Sequence, residues 1–104
     1  LKQLTDEILA FNEDRGWTSG NRDARSLAIS VTLEAAELLE HFQWNSGEEA
    51  LRQDREALED EAADVFIYLL QLADVLGIDL EEAARHKMKK NALKYPAPEQ
   101  EARR

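Results

Sequence analysis

The sequence predicts an all-α protein, a four-helix, bundle-like unit that acts as an oligomer. Three observations point there. Apolar residues recur at three- and four-residue steps in successive segments, which is the helical period. No segment shows the period-two alternation of a half-buried strand. Helix start and stop signals stand between the segments, at Gly16, Asp23, Asn45-Ser46-Gly47, Gly77, Asp79 and Pro96.

Residues 2 to 14 read as a short amphipathic helix, with Leu4, Ile8 and Phe11 on one face and Gly16 as its terminator. Trp17 to Asp23 is a polar loop, and Asp23 is placed to cap the next helix. That second helix runs from Ala24 to about Trp44. Leu27, Val31, Ala35, Leu38 and Phe42 form its main stripe, with Ser30, Glu34, Glu37 and His41 at the edge. Ile29 and Leu33 make a second apolar patch on the far side. Glu48 to Glu59 is charged and reads as an exposed helical lead-in, or a loop with a helical turn, anchored by Ala50, Leu51 and Leu58. A third helix then runs to Leu76, with Gly77 as its C-cap. Val65, Leu69, Leu72 and Leu76 form its stripe, and Glu61, Asp64 and Tyr68 line the nearest edge. Asp79 caps a fourth helix, with Glu82 completing a capping box. This helix ends near Leu93, before Pro96 and Pro98, and residues 97–104 are expected to form a frayed tail.

A chain of 104 residues with 43% hydrophobic content suits one domain, residues 1–104, with a modest core. The absence of cysteine excludes disulfide and thiolate-metal scaffolds and suits a reducing cytosol, so a cytoplasmic protein is expected. No apolar run reaches the roughly 18 residues of a membrane span. The N-terminus lacks the basic-then-apolar pattern of a signal peptide. A formal net charge of −9 opposes binding to DNA or RNA polymers. It does not oppose binding one nucleotide, because a bound metal and a few local cations reverse the sign at a pocket.

The chemistry is concentrated in two acidic pairs, Glu34-Ala35-Ala36-Glu37 and Glu61-Ala62-Ala63-Asp64. Each pair is spaced i, i+3, so its carboxylates share one helix face and repel. A single such pair is ordinarily a solvated face. Two pairs, each beside the apolar stripe of a central helix, can be aimed into one cleft when the helices pack at about 8–10 Å. They then need a counter-charge, and oxygen ligands suit a hard cation, Mg²⁺ or Mn²⁺. A di-iron bundle would want Glu-x-x-His, whereas Glu37 and His41, like Glu82 and His86, are one residue further apart. Zinc catalysis would want more histidine or cysteine.

The two pairs in this order resemble the signature of the MazG-like all-α nucleoside triphosphate pyrophosphohydrolases. The segment from Glu34 through Glu37 to Phe42-Gln43-Trp44 is similar to the family's acidic helix, and Asp64-Val-Phe-Ile-Tyr68 to its second metal helix. Lys87 through Asn91 to Tyr95-Pro96 is similar to the end of its last helix. The resemblance covers roughly residues 15 to 96 and is nearest to the dCTP pyrophosphatase-like branch. It departs between Trp17 and the acidic helix. There that branch carries Phe-His and Pro-Arg-Asn-Leu, but this chain has Ser19-Gly20-Asn21 and Ala24-Arg25-Ser26-Leu27.

The resemblance implies Mg²⁺-dependent hydrolysis of a (deoxy)nucleoside triphosphate to the monophosphate and pyrophosphate, with housecleaning of the nucleotide pool as a fitting role. Glu34, Glu37, Glu61 and Asp64 would hold the metal, and Glu37 or Glu34 would activate the attacking water. Trp17 and Trp44 would pack around the base, and an indole suits any base because its face stacks. Lys87, Asn91 and Tyr95 would contact phosphate and nucleoside, Tyr68 the sugar, and Arg25 with Lys87 would stabilise charge on the phosphate oxygens. From the residues alone, Trp44 and Tyr68 read equally well as core anchors and Lys87 as a favourable charge near a helix C-terminus. A competing reading is a non-catalytic helical adaptor that dimerises through its second apolar face. Either way the apolar helix surface predicts a homodimer or homotetramer.

Overall fold

The computed structural model describes residues 1–17 and 23–98. Four helices account for almost all of it: α1 (Lys2–Asp14), α2 (Ala24–Glu40), α3 (Gly47–Leu76) and α4 (Leu80–Lys94). No strand occurs among the described residues. Most of the loop expected between Trp17 and Asp23, including Ser19-Gly20-Asn21, and residues 99–104 of the expected frayed tail lie outside the described residues.

The helix boundaries follow local chemistry. Gly16 adopts φ +69° and donates to the Glu13 carbonyl at 3.0 Å, closing α1. Asp23 takes the Ser26 amide at 2.8 Å and opens α2. Gly77, at φ 68°, closes α3, with the Ile78 amide reaching back to the Ala73 carbonyl at 2.8 Å. Asp79 takes the Glu82 amide at 3.0 Å, which supplies one half of the expected capping box.

One boundary differs from expectation and one open alternative is decided. Helix α2 ends at Glu40, four residues before Trp44. The amides of His41, Phe42 and Gln43 bond to carbonyls three residues back, tightening the chain into a turn. Beyond the turn, Ser46 takes the Glu49 amide at 3.2 Å and starts α3, so Glu48–Glu59 takes the first of its two expected forms, a helical lead-in continuous with α3. This cap, with Glu48 and Glu49 in the first turn, favours the helix through its dipole. The backbone departs from helical values once inside α3, at Asp54 (φ −132°, ψ 35°).

Helices α2 and α3 form a long hairpin, and α1 lies against α3. Ile8 of α1, Leu27 of α2, and Leu70 and Ala73 of α3 are the buried apolar residues of this assembly, while Ala50 is buried near the start of α3. The core is thin: among the described residues no large side chain is fully buried. Helix α4 is exposed from Glu81 to its end. No described helix is long and apolar enough to cross a membrane.

Candidate active site

The two acidic pairs face each other across the α2–α3 hairpin. Because i, i+3 spacing aligns each pair on one helix face, packing α2 on α3 brings carboxylates of both helices together. One oxygen from each of Glu34, Glu61 and Asp64 lies within 4.8 Å of the others. Glu37 stands beside them, close enough that its carboxyl acts on both Glu34 and Glu61.

The electrostatics are unfavourable for charged acids. Burial pushes the Glu34 carboxyl above its ordinary value, and the Glu37 carboxyl next to it, with the charges of Glu37, Asp64 and Glu61, adds to the rise. Burial also raises Glu61, followed by the charge and contact of Glu37 and the charge of Asp64; His41 partly opposes this. Glu34 Oε2 and Glu61 Oε2 are buried and accept no hydrogen bond. Among the described residues, no lysine or arginine pairs with the four acids, and His41 instead lies 3.8 Å from Asp54. Buried acceptors without donors, converging from two helices, are suited to a hard divalent cation. Glu34, Glu61 and Asp64 could hold one, with Glu37 adjacent.

A cavity of about 760 Å³ opens beside this cluster, and Asp64 lines it. Its other walls come from all three packed helices: Phe11 and Asn12 of α1, Ser30 of α2, and Tyr68 and Gln71 of α3. Trp17 closes one side, its ring 5.9 Å from Phe11 in an edge-on arrangement. The Trp17 amide donates to the Asn12 carbonyl at 2.9 Å, which holds the tryptophan against the end of α1. On α3, Glu61, Asp64, Tyr68 and Gln71 follow one another at three- and four-residue steps, so acid, aromatic and amide chemistry share one face. The arrangement sets an acidic cluster suited to a cation beside an aromatic, partly polar cavity, with Asp64 belonging to both.

Of the residues singled out from sequence, Glu34, Glu37, Glu61, Asp64, Tyr68 and Trp17 come together here. Arg25 is exposed in the first turn of α2 and does not line the cavity. Trp44 is 86% exposed in the turn after α2. Lys87, Asn91 and Tyr95 are exposed on and just after α4, and none of them lines the cavity or joins the acid cluster. Phe11, Asn12, Ser30 and Gln71 are among the lining residues that the sequence did not mark as site residues. Phe11 read only as an apolar face residue. Asn12 and Gln71 carry amides in otherwise helical contexts, and Gln71 interrupts the apolar run from Val65 to Ala73. That interruption was the available signal.

Comparison with known proteins places this geometry. Residues 29–104 match the MazG-like family. The chain is 37% identical over 91 residues to dCTP pyrophosphatase 1 of Mus musculus, a match covering 83% of this chain and 53% of that protein. It is likewise 37% identical to dCTP pyrophosphatase 1 of Homo sapiens over 92 residues. The chain thus spans about half the length of the curated relatives it matches. A crystal structure of a pyrophosphatase from Archaeoglobus fulgidus superimposes with a TM-score of 0.84 at 43% identity, covering 92% of each chain. The acidic pairs of α2 and α3 fall inside the matched region, and by that match this chain belongs to the MazG-like family.

Proposed function

We propose that this protein hydrolyses a (deoxy)nucleoside triphosphate to the nucleoside monophosphate and pyrophosphate, using Mg²⁺ held by Glu34, Glu37, Glu61 and Asp64. The observation that carries the reading is the convergence of Glu34, Glu61 and Asp64 within 4.8 Å, beside an aromatic-walled cavity that Asp64 also lines. The family membership and the pyrophosphatase relatives support the reaction class. Because those curated relatives are dCTP pyrophosphatases, dCTP is the first substrate to test.

When bound, Mg²⁺ (or Mn²⁺) neutralises phosphate charge and polarises the phosphorus under attack. The chain's residues supply the rest. Asp64 belongs to both the acid cluster and the cavity, so a nucleotide with its phosphates at the acids places its nucleoside in the cavity. Tyr68, one turn along α3, faces the sugar, and Trp17 offers a ring face to the base. Water attacks the α-phosphorus, the bond to the β-phosphate oxygen breaks, and pyrophosphate leaves. Glu37 accepts the proton of that water, since it stands next to Glu34 and Glu61 and lies outside the tightest group of oxygens. Glu34 is the alternative base, since burial and the neighbouring acids raise its pKa and so make its carboxylate more basic.

Arg25, Trp44, Lys87, Asn91 and Tyr95 enter this scheme through assembly. They are exposed in the single chain, and a homodimer or homotetramer would bring Trp44 and the α4 residues of one copy to the groove of another. Arg25 and Lys87 would then stabilise charge on the phosphate oxygens. Such an enzyme would act in the cytoplasm in housecleaning of the nucleotide pool.

The test is pyrophosphate release from a panel of natural and modified nucleoside triphosphates, with and without Mg²⁺. Release should require the metal, and Glu61→Gln should lower it by about 10²–10³-fold or more. A panel that yields no pyrophosphate, with Mg²⁺ leaving the melting temperature unchanged, would favour the adaptor reading instead.

A further inference from the structure

The cavity holds a polar feature that metal binding does not use. Asn12 of α1 and Gln71 of α3 are only 9% and 6% exposed, and both line the cavity. Asn12 Nδ2 donates to Gln71 Oε1 at 2.9 Å. Gln71 Nε2 donates to the Ile67 carbonyl at 3.4 Å. A carbonyl can only accept, so this bond sets which way the Gln71 amide faces. Gln71 Oε1 is therefore turned to Asn12, Asn12 must present its nitrogen to it, and Asn12 Oδ1 is the atom left over. No described residue donates to Asn12 Oδ1, and it is not among the sealed, unpartnered side-chain atoms of the described residues, which are Glu34 Oε2 and Glu61 Oε2. Asn12 lines the cavity, and that is the space from which a ligand donor can reach the uncommitted oxygen.

A buried amide that spends one N–H on a neighbour and leaves its oxygen facing an aromatic-walled space is an oriented acceptor. Its position relative to the acids has meaning. Gln71 lies seven residues after Asp64 on the same helix, about 10 Å along the axis. That is the reach of a nucleoside from its 5′-phosphate to the far edge of its base.

We infer that Asn12, oriented by Gln71, reads the edge of the nucleobase, and that its Oδ1 selects bases carrying an exocyclic amino group beside a ring nitrogen, as cytosine and adenine do. The amino group donates to Asn12 Oδ1, and a remaining N–H of the amide pair donates to the ring nitrogen. A base with a carbonyl at that place sets oxygen against oxygen and leaves Asn12 without a donor, which is the kind of mismatch that a hydrogen-bonding site rejects most strongly. Gln71 acts as a positioning residue. The inference rests on the nucleotide reading given above, and it assigns the base specificity of that same groove.

Two measurements separate this inference from the activity itself. The first is kcat/KM for dCTP and dATP against dUTP and dTTP, in the wild type, Asn12→Ala and Gln71→Met. A ratio between substrates is independent of how much of a variant is folded. The wild type should favour the amino bases, and Asn12→Ala should shrink that preference by about 10- to 100-fold, chiefly through KM. Gln71→Met, which keeps the volume but frees the Asn12 amide to rotate, should shrink it less. The second is metal-free titration with dCMP, dAMP, dUMP and dTMP, followed by tryptophan fluorescence. The same preference, and its loss in Asn12→Ala, should appear with no turnover. If the wild type hydrolyses nucleotides without preferring amino bases, the inference is overturned and the activity stands. An unchanged preference in Asn12→Ala, even with a lower melting temperature, also overturns it, since the amide pair would then only join α1 to α3. A wild type that neither hydrolyses nor binds any nucleotide removes both readings.

Discussion

At the scale of single residues, Glu34 and Glu61 are where stability is set against chemistry. Both carboxyls sit above the ordinary value of 4.5 because burial and neighbouring acids disfavour their charge. The folded, metal-free protein therefore binds more protons than the unfolded chain in the interval between 4.5 and the raised values. Stability must fall as pH rises through that interval, and the loss is complete above the folded values. A cation held by these acids would reverse it by supplying the missing counter-charge. Comparing the wild type with Glu61→Gln cancels the other titrating groups. Without metal, Glu61→Gln should melt at a higher temperature than the wild type at pH 7, and the two should converge as pH falls toward 4.5. Mg²⁺ at pH 7 should raise the wild-type melting temperature and do little for Glu61→Gln. A wild-type-to-variant difference that is flat with pH would refute this account of the cluster.

At the scale of elements, the helix termini carry decisions that the helix interiors do not. Gly77 ends α3 at φ 68° and turns the chain into Asp79, which caps α4. A Cβ built on Gly77 would meet nothing within 4 Å, so the position asks for glycine on backbone grounds alone. Gly77→Ala should therefore cost about 1–2 kcal/mol with no packing contribution, and calorimetry would measure it. Gly77→Asn should cost less, because asparagine tolerates the left-handed region. A much larger loss for Gly77→Ala would mean that α4 packs against something when the protein is assembled. The early end of α2 belongs to the same scale. By stopping at Glu40, the chain leaves His41 facing Asp54 across the hairpin and places Trp44 in a turn, 86% exposed.

At the scale of the whole molecule, the exposed apolar surface dominates. Ile29 and Leu33 on the outer side of α2 are 50% and 59% exposed, and Met88 and Leu93 on α4 are more exposed still. Apolar residues left open in this number, over a core with no large fully buried side chain among the described residues, mark a surface meant to be covered. A second copy of the chain would cover it and would also explain a helix α4 that touches little of its own fold. Sedimentation should therefore report a dimer or tetramer at micromolar concentration. Leu33→Glu combined with Ile29→Glu should shift the protein toward monomer, because two buried charges facing their own symmetry mates are costly. If that variant stays assembled, the outer face of α2 is not the interface. Loss of activity together with assembly would tie the exposed Trp44, Lys87, Asn91 and Tyr95 to a groove on another copy.

The sequence by itself determined the helices, their caps at Asp23, Gly77 and Asp79, and the pairing of Glu34 with Glu37 and of Glu61 with Asp64. All of these depend on neighbours three or four positions away, and residue type records such neighbours directly. The place where α2 stops was not legible in the same way. Asn45-Ser46-Gly47 signals a break, but how far upstream the turn tightens depends on how the hairpin closes. Tertiary structure alone decided which acids converge within 4.8 Å, that a cavity adjoins them, and that Asn12 meets Gln71 across 59 positions of chain. Helical periodicity says which residues share a face, but not where two faces cross. A hydrogen bond between α1 and α3 is a property of that crossing, so a pair that read as two unremarkable amides emerges in the fold as one oriented acceptor at the end of the groove.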